Sequence, residues 1–341
     1  MTDLQSTLAI LENQTGVVVP VFFSKGADLA TSTGLLRDTV FGLCRELRDP
    51  ARICLSVDGS PSAADACQAL AKEFGVLAEI APTNRGKLAA ARNGASRLLQ
   101  AVPDCQYLAV LDSDGDHFPN ELLNHLRCGE KVKAEQTTDK VLVLGNRRSR
   151  HRPMGFLRGE LEEMADRMLL DALIYHSTIK GKPLELQFTN TLDEYPDFHS
   201  GYKVFSRACA QDVFLSPPEL AGCEEVTFYR HAVEAVMAVE ALVRGATLAT
   251  VNRRTFDEQA VSEFGRLDRS ALTADMIIWP CRRLGVPGHF VRQWLRNHEH
   301  RIVLSTLVPD GRKELGTVRK FVLEAFEQDK ESASLTKNLF V

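Results

Sequence analysis

Along the first part of this chain, short dense apolar runs alternate with stretches in which apolar residues recur three or four positions apart. The runs at 16–23 (GVVVPVFF), 52–57 (RICLSV), 76–81, 107–111 (YLAVL) and 140–145 are rich in Val, Ile and Leu and end in turn-forming residues. That pattern predicts strands, and 107–111 reads as one buried on both faces. Between them the helical spacing predicts helices at 35–47 (Leu36, Val40, Leu43, Leu47), 61–74, 84–99 and 121–126, with Pro61 suited to a first helical turn. Strands and helices alternating at this pitch predict a mainly parallel sheet joined by right-handed crossovers. Further on, 156–179 keeps one apolar face (Leu157, Leu161, Met164, Met168, Ala172, Tyr175), 202–205 reads as a short strand, and 224–244 as a helix capped by Gly245 before a strand at 246–251. Beyond residue 256 only helical spacing remains, at 267–284, 286–304 and a last piece carrying Val318, Phe321, Val322, Ala325 and Phe326. The expected architecture is an α/β domain over 1–255, its mixed sheet flanked by helices, with a helical extension over 256–341 that packs on it or makes a homodimer. Residues 330–341 read as a loose tail.

In a sheet of this kind ligands gather beyond the C-terminal strand ends. Residues 22–25, 58–60, 83–87 and 112–117 therefore belong to one edge. The last of these, in YLAVLDSDGDHFP, holds aspartates at alternate positions: Asp112, Asp114 and Asp116. In extended chain they point one way with neighbouring Cα atoms about 7 Å apart, and two unit charges there repel by roughly 2 kcal/mol at an effective dielectric near 20. A divalent cation with oxygen ligands answers that repulsion. A calcium loop of the EF-hand type does not fit, because His117 stands where that loop needs Gly and Leu123 where it needs Glu. A haloacid dehalogenase-type phosphohydrolase with Asp112 as nucleophile (Asp-x-Asp-Gly-Thr) matches until its last residue, where Asp116 replaces Thr, and that motif follows a first strand whereas this one follows a fourth. An exposed turn is the plain alternative.

Composition narrows the field further. The chain of 341 residues is 44% hydrophobic and 25% charged, with net charge −4, which argues against nucleic acid as a partner. Its eight cysteines show no metal-ligand spacing and read as reduced thiols of a cytoplasmic protein. No stretch approaches a transmembrane segment. His298 and His300, two apart in a polar helix, read as solvated more readily than as metal ligands.

Taken in order, several segments resemble glycosyltransferases of the GT-A fold, family 2, and their dolichyl-phosphate mannosyltransferase-like branch. The first strand with Pro20 resembles the opening VVxPxxN. VDGS at 57–60 is similar to VDDGS with one aspartate missing, and NRGK at 84–87 with ARNG at 91–94 to NxGKxxAxNxG. Residues 111–119 resemble DxDxQHxP with Asp116 in place of Gln. GNR at 145–147 resembles GxR, and 197–207 resembles DxxSGFKxFxR. The likeness covers about residues 16–255, and it departs at Phe23-Ser24-Lys25, where the family has Asn-Glu.

The resemblance implies a Rossmann-like, metal-dependent hexosyltransferase that takes a UDP- or GDP-linked sugar. Asp58 would contact the base and Pro20 the nucleoside. Asp112, Asp114 and Asp116 would hold Mg²⁺ or Mn²⁺ against the diphosphate, with Lys87 and Arg147 as cations for the leaving group. Asp197, His199, Ser200 and Gly201 would meet the donor sugar or a soluble or peripheral acceptor. Asp197 or the pair Glu224-Glu225 would serve as general base, and the glutamates also suit a helix start on dipole grounds alone. A nucleotide-sugar sensor without turnover is the remaining alternative.

Overall fold

The computed structural model describes residues 4–189, 195–256, 268–305 and 309–327. The chain forms two compact units. The first gathers Met1–Arg148, Glu185–Pro218 and Met237–Ser262, and the second Ser149–Leu184, Glu219–Val236 and Glu263–Val341. The division is thus not a single cut near residue 255. Residues 149–184 and 219–236 cluster with the C-terminal helices, because the long helix Phe156–Lys180 packs there on Arg269–Arg283 and Gly288–Ser305.

The first unit is α/β. Its strands are β1 (Thr15–Val21), β2 (Ile53–Asp58), β3 (Leu77–Ala81), β4 (Tyr107–Val110), β5 (Val141–Arg147), β6 (Lys203–Ser206) and β7 (Thr247–Arg253). They form one seven-stranded mixed sheet in the order β3-β2-β1-β4-β6-β5-β7. β6 runs antiparallel to both β4 and β5, and the remaining pairings are parallel. All strands predicted above are present. A helix at Leu4–Gln14 precedes them, and Asp28 caps Leu29–Glu46 by accepting from Ala30 and Thr31 N–H, which starts that helix earlier than its apolar spacing suggests.

Alternate residues explain the two-sided burial. Val17, Val19 and Val21, Leu55 and Val57, Tyr107 and Ala109 pack with Leu36, Val40 and Leu43 of Leu29–Glu46 in one core. Val18 and Ser56 face the helix Lys87–Ala101 instead, with Ser56 Oγ donating to Ala90 O at 2.7 Å. Both faces of β1, β2 and β4 are covered, so these strands read as nearly continuous apolar runs, whereas β3 at the sheet edge is half-buried throughout.

Pro20 sits inside a central strand, where proline is uncommon. Leu111 N–H donates to Val18 O at 3.1 Å, so Val18, and with it Pro20, turns its backbone polar groups toward β4. The β1–β4 pairing ends at Val18. The missing N–H of Pro20 therefore costs no ladder bond, and it falls where β1 and β4 part.

The helix expected over 224–244 is broken. A π-helical turn, Thr227–His231, precedes the helix Val233–Val243, and Thr227 Oγ1 and His231 Nδ1 both reach the Asp275 carboxylate, at 3.0 and 2.6 Å. No described helix is long and apolar enough to cross a membrane. None of the eight cysteines forms a disulfide, and burial pushes the thiols of Cys54 and Cys67 up to about 12. Residues 330–341 and the side chain of His300 lie outside the described residues.

Candidate functional site

Sheet order locates the site. β1, β2 and β3 step outward in one direction and β4 lies on the other side of β1, so the order reverses between β1 and β4. In open α/β sheets the crevice beyond the strand ends at such a reversal is where ligands bind. Asp112 follows directly on β4 at that place.

The four loops expected on one edge are bonded to one another. Ser60 Oγ donates to Phe23 O at 2.8 Å, which ties the β2 loop to the end of β1. Gly59 has φ +60°, and a side chain there would come within 2.1 Å of Asn84 N; only glycine lets these two loops touch. Asp58 is buried, and its carboxylate accepts from the N–H groups of Arg85 (3.0 Å) and Gly86 (2.5 Å). Asp58 thus shapes the loop that delivers Lys87. Lys87 opens the helix Lys87–Ala101, and its Nζ lies 2.6 Å from Asp112 Oδ1.

The aspartates divide. Asp112 is partly exposed, and Gly201 lies so close that a Cβ would stand 2.5 Å from Asp112 Oδ2. Asp112 N–H donates to His117 Nδ1 at 2.7 Å. His117 is buried and its pKa is held well below the usual imidazole range, by burial first and then by Arg253 and Lys87. A neutral ring with Nδ1 as acceptor is consistent with both facts. Asp114, also partly exposed, is pushed up to about 6 by burial and next by the charge of Asp112. Its Oδ1 accepts from Asp116 N–H at 3.1 Å. Asp116 is buried and turned away: its Oδ1 accepts from Phe256 N–H at 2.6 Å, and Arg253 Nη1 donates to its carbonyl at 2.9 Å.

The other half of the edge is a set of closed pairs. Arg147 holds Asp197 through two guanidinium bonds of 2.7 and 2.6 Å and its own N–H at 3.1 Å, while Asn146 Oδ1 accepts from Asp197 N–H. Both partners are buried. Arg147, expected as a cation for the leaving group, is thus committed to Asp197, and Asp197 as a general base would first have to release two charge-assisted bonds. Ser200 is buried with Oγ 3.2 Å from Arg253 Nε, and His199 is buried beside it in the chain. Lys203, fully buried in β6, donates from Nζ to the carbonyls of Phe198 (2.9 Å) and Ser200, holding up the loop that carries Gly201.

Glu224, Glu225 and His298 belong to the second unit. His298 Nδ1 meets Trp294 O at 2.8 Å and its ring stacks on Trp294.

His117, Lys203 and Arg253 were not singled out from the sequence. Lys203 had a signal, a lone cation in an otherwise apolar strand. Arg253 had a weaker one: β7 runs two residues beyond its apolar stretch and brings a cation to the ligand edge.

No protein-family model and no curated protein matches this chain. Among the solved structures it is similar to is one described as the crystal structure of a mycobacterial protein, at 18% identity and TM-score 0.47, over 84% of this chain and 80% of that one. Nothing about function passes from it to this chain.

Proposed function

We propose that this chain is a metal-dependent glycosyltransferase of the GT-A type, which moves a hexose from a UDP- or GDP-linked donor to an acceptor. The observation that carries the reading is the juxtaposition, at the sheet's reversal point, of two partly exposed carboxylates, Asp112 and Asp114, with the ammonium of Lys87. Hard oxygen donors with a crowded negative charge suit Mg²⁺ or Mn²⁺, and the Asp114 carboxyl is pushed up by burial first and then by the charge of Asp112, a repulsion that a cation relieves. Asp112 and Asp114 would hold the ion; Asp116, committed to Arg253 and Phe256, falls outside the ligand set. When bound, the ion supplies charge neutralisation for a diphosphate.

The chain's own groups do the rest. Lys87 and the first N–H groups of its helix present positive charge where a leaving phosphate would sit. His117 fixes the backbone of Asp112, and Gly201 leaves room for its carboxylate. Arg147–Asp197 and Arg253–Asp116 act as framework in this reading, not as contacts to the donor.

Isothermal titration of UDP, GDP, UDP-glucose and GDP-mannose, each with and without Mg²⁺ or Mn²⁺, tests the proposal. Metal-dependent binding to at least one of them is expected. Absence of such binding to all four overturns it, and release of phosphate from a simple phosphomonoester would favour the phosphohydrolase instead.

A further inference from the structure

The basic run after β5 ends in a feature that the proposed activity does not use. His151 opens the short helix His151–Met154, and Glu160 and Glu163 lie three positions apart on Phe156–Lys180, a spacing that puts both on one helix face. His151 Nε2 is 2.7 Å from Glu160 Oε1, and one ligand atom from each of His151, Glu160 and Glu163 lies within 4.8 Å of the others. The imidazole rests directly on the long helix at Gly159, where a Cβ would stand 2.7 Å from His151 Cδ2. Phe156 flanks the ring at 5.7 Å between centroids. All of these residues belong to the second unit.

A protonated His151 paired with Glu160 would account for one carboxylate. Glu163, whose Oε1 accepts from Arg167 Nη2 at 3.2 Å, brings a second carboxylate within reach of the same imidazole. One imidazole nitrogen with two carboxylates is instead a donor set for zinc-class ions, whereas magnesium and calcium favour oxygen alone. Metal–ligand bonds of about 2.0–2.2 Å place tetrahedral ligands roughly 3.3 Å apart, so small side-chain rotations close the observed spacing.

We propose that His151, Glu160 and Glu163 form a binding site for a divalent transition ion of the zinc class, with its remaining coordination position open to water. Binding moves the Nε2 proton of His151 to solvent or to Nδ1 and ties the short helix to the long one. The inference is independent of the glycosyltransferase reading, which concerns Mg²⁺ or Mn²⁺ at different residues.

The test uses full-length protein stripped with a chelator and carrying Asp114→Asn, so that the sheet-edge carboxylates contribute little. Titration with Zn²⁺ by calorimetry, and with Co²⁺ by visible absorption, should show one saturable equivalent, weakened at least about tenfold by Glu163→Gln and by His151→Gln. No saturable binding, or binding equal in both variants, overturns the proposal. Zinc-edge X-ray absorption of the unsubstituted, zinc-loaded chain decides the matter even where a variant fails to fold. A shell of one imidazole and oxygens is expected, and a sulfur-containing shell or one without imidazole would overturn the site.

Discussion

The two halves of the sheet edge use the same residue types for opposite ends. On the β1–β4 side, Asp112 and Asp114 stand partly exposed, crowded by like charge, with Lys87 as a neighbouring cation. On the β5–β7 side, Asp116 and Asp197 are buried and each meets an arginine, Arg253 or Arg147. Residue type alone therefore does not mark a ligand site in this molecule. What separates the halves is the kind of pairing: a buried carboxylate bonded to a guanidinium is framework, and a partly exposed one crowded by a like charge is poised to take a cation.

The largest expected effect breaks the framework half. Asp197→Ala leaves the Arg147 guanidinium buried beside an empty position, and should cost about 3–5 kcal/mol of stability, read as a fall in the denaturation midpoint. Were Asp197 a catalytic base held in reserve, the variant would instead stay as stable as the parent and lose only turnover. Next comes the open half. Asp114→Asn should lower glycosyl transfer by about 10²–10³-fold while leaving thermal stability unchanged or raised, because it removes a charge that its surroundings resist. A variant that unfolds would show that the cluster is structural. Gly201→Ala lies between the two. Its methyl group must displace the Asp112 carboxylate, so a cost of about 1–3 kcal/mol should appear both in stability and in metal-dependent donor binding; a change confined to stability would detach Gly201 from the site.

The same contrast explains what could be read in advance. Strands β1 to β5 carry alternating apolar faces and end in turn residues, so their order, and with it the four-loop edge and the place of Asp112 and Asp114, is written in local pattern. The framework pairs are not. Asp116 finds Arg253 137 residues away and Asp197 finds Arg147 50 residues away, and no local spacing distinguishes them from the ligand candidates beside them. The break at Thr227–His231 has the same origin, a carboxylate on Asp275 that lies 48 and 44 positions further on. The division into units escaped for a related reason: residues 149–184 follow β5 directly in sequence, yet the helix Phe156–Lys180 packs on helices that begin only at Arg269 and Gly288.

The smallest effect is a titration, and it sharpens the comparison because metal affinity should follow the carboxylates of the open half alone. The native Asp114 carboxyl has its pKa raised from 3.8 to about 6, by burial and by Asp112. Between about pH 4 and 6 the native state thus holds a proton that the unfolded chain has released. The resulting penalty on folding is absent below about pH 4 and fully present above about pH 6, so stability contributed at this residue falls as pH rises through that window. A metal ion competes with the same proton. Affinity for Mg²⁺ or Mn²⁺ should be nearly flat above pH 7 and drop by up to about tenfold per unit below pH 6, measured by calorimetry at fixed ionic strength. Asp114→Asn should flatten both curves. Asp116→Asn offers no such simple outcome: Arg253 opposes the burial that raises its pKa, and loss of its charge leaves that arginine buried with a weaker partner. A metal-affinity midpoint unmoved by Asp114→Asn would place the responsible carboxylate elsewhere and erase the distinction between the open half and the framework.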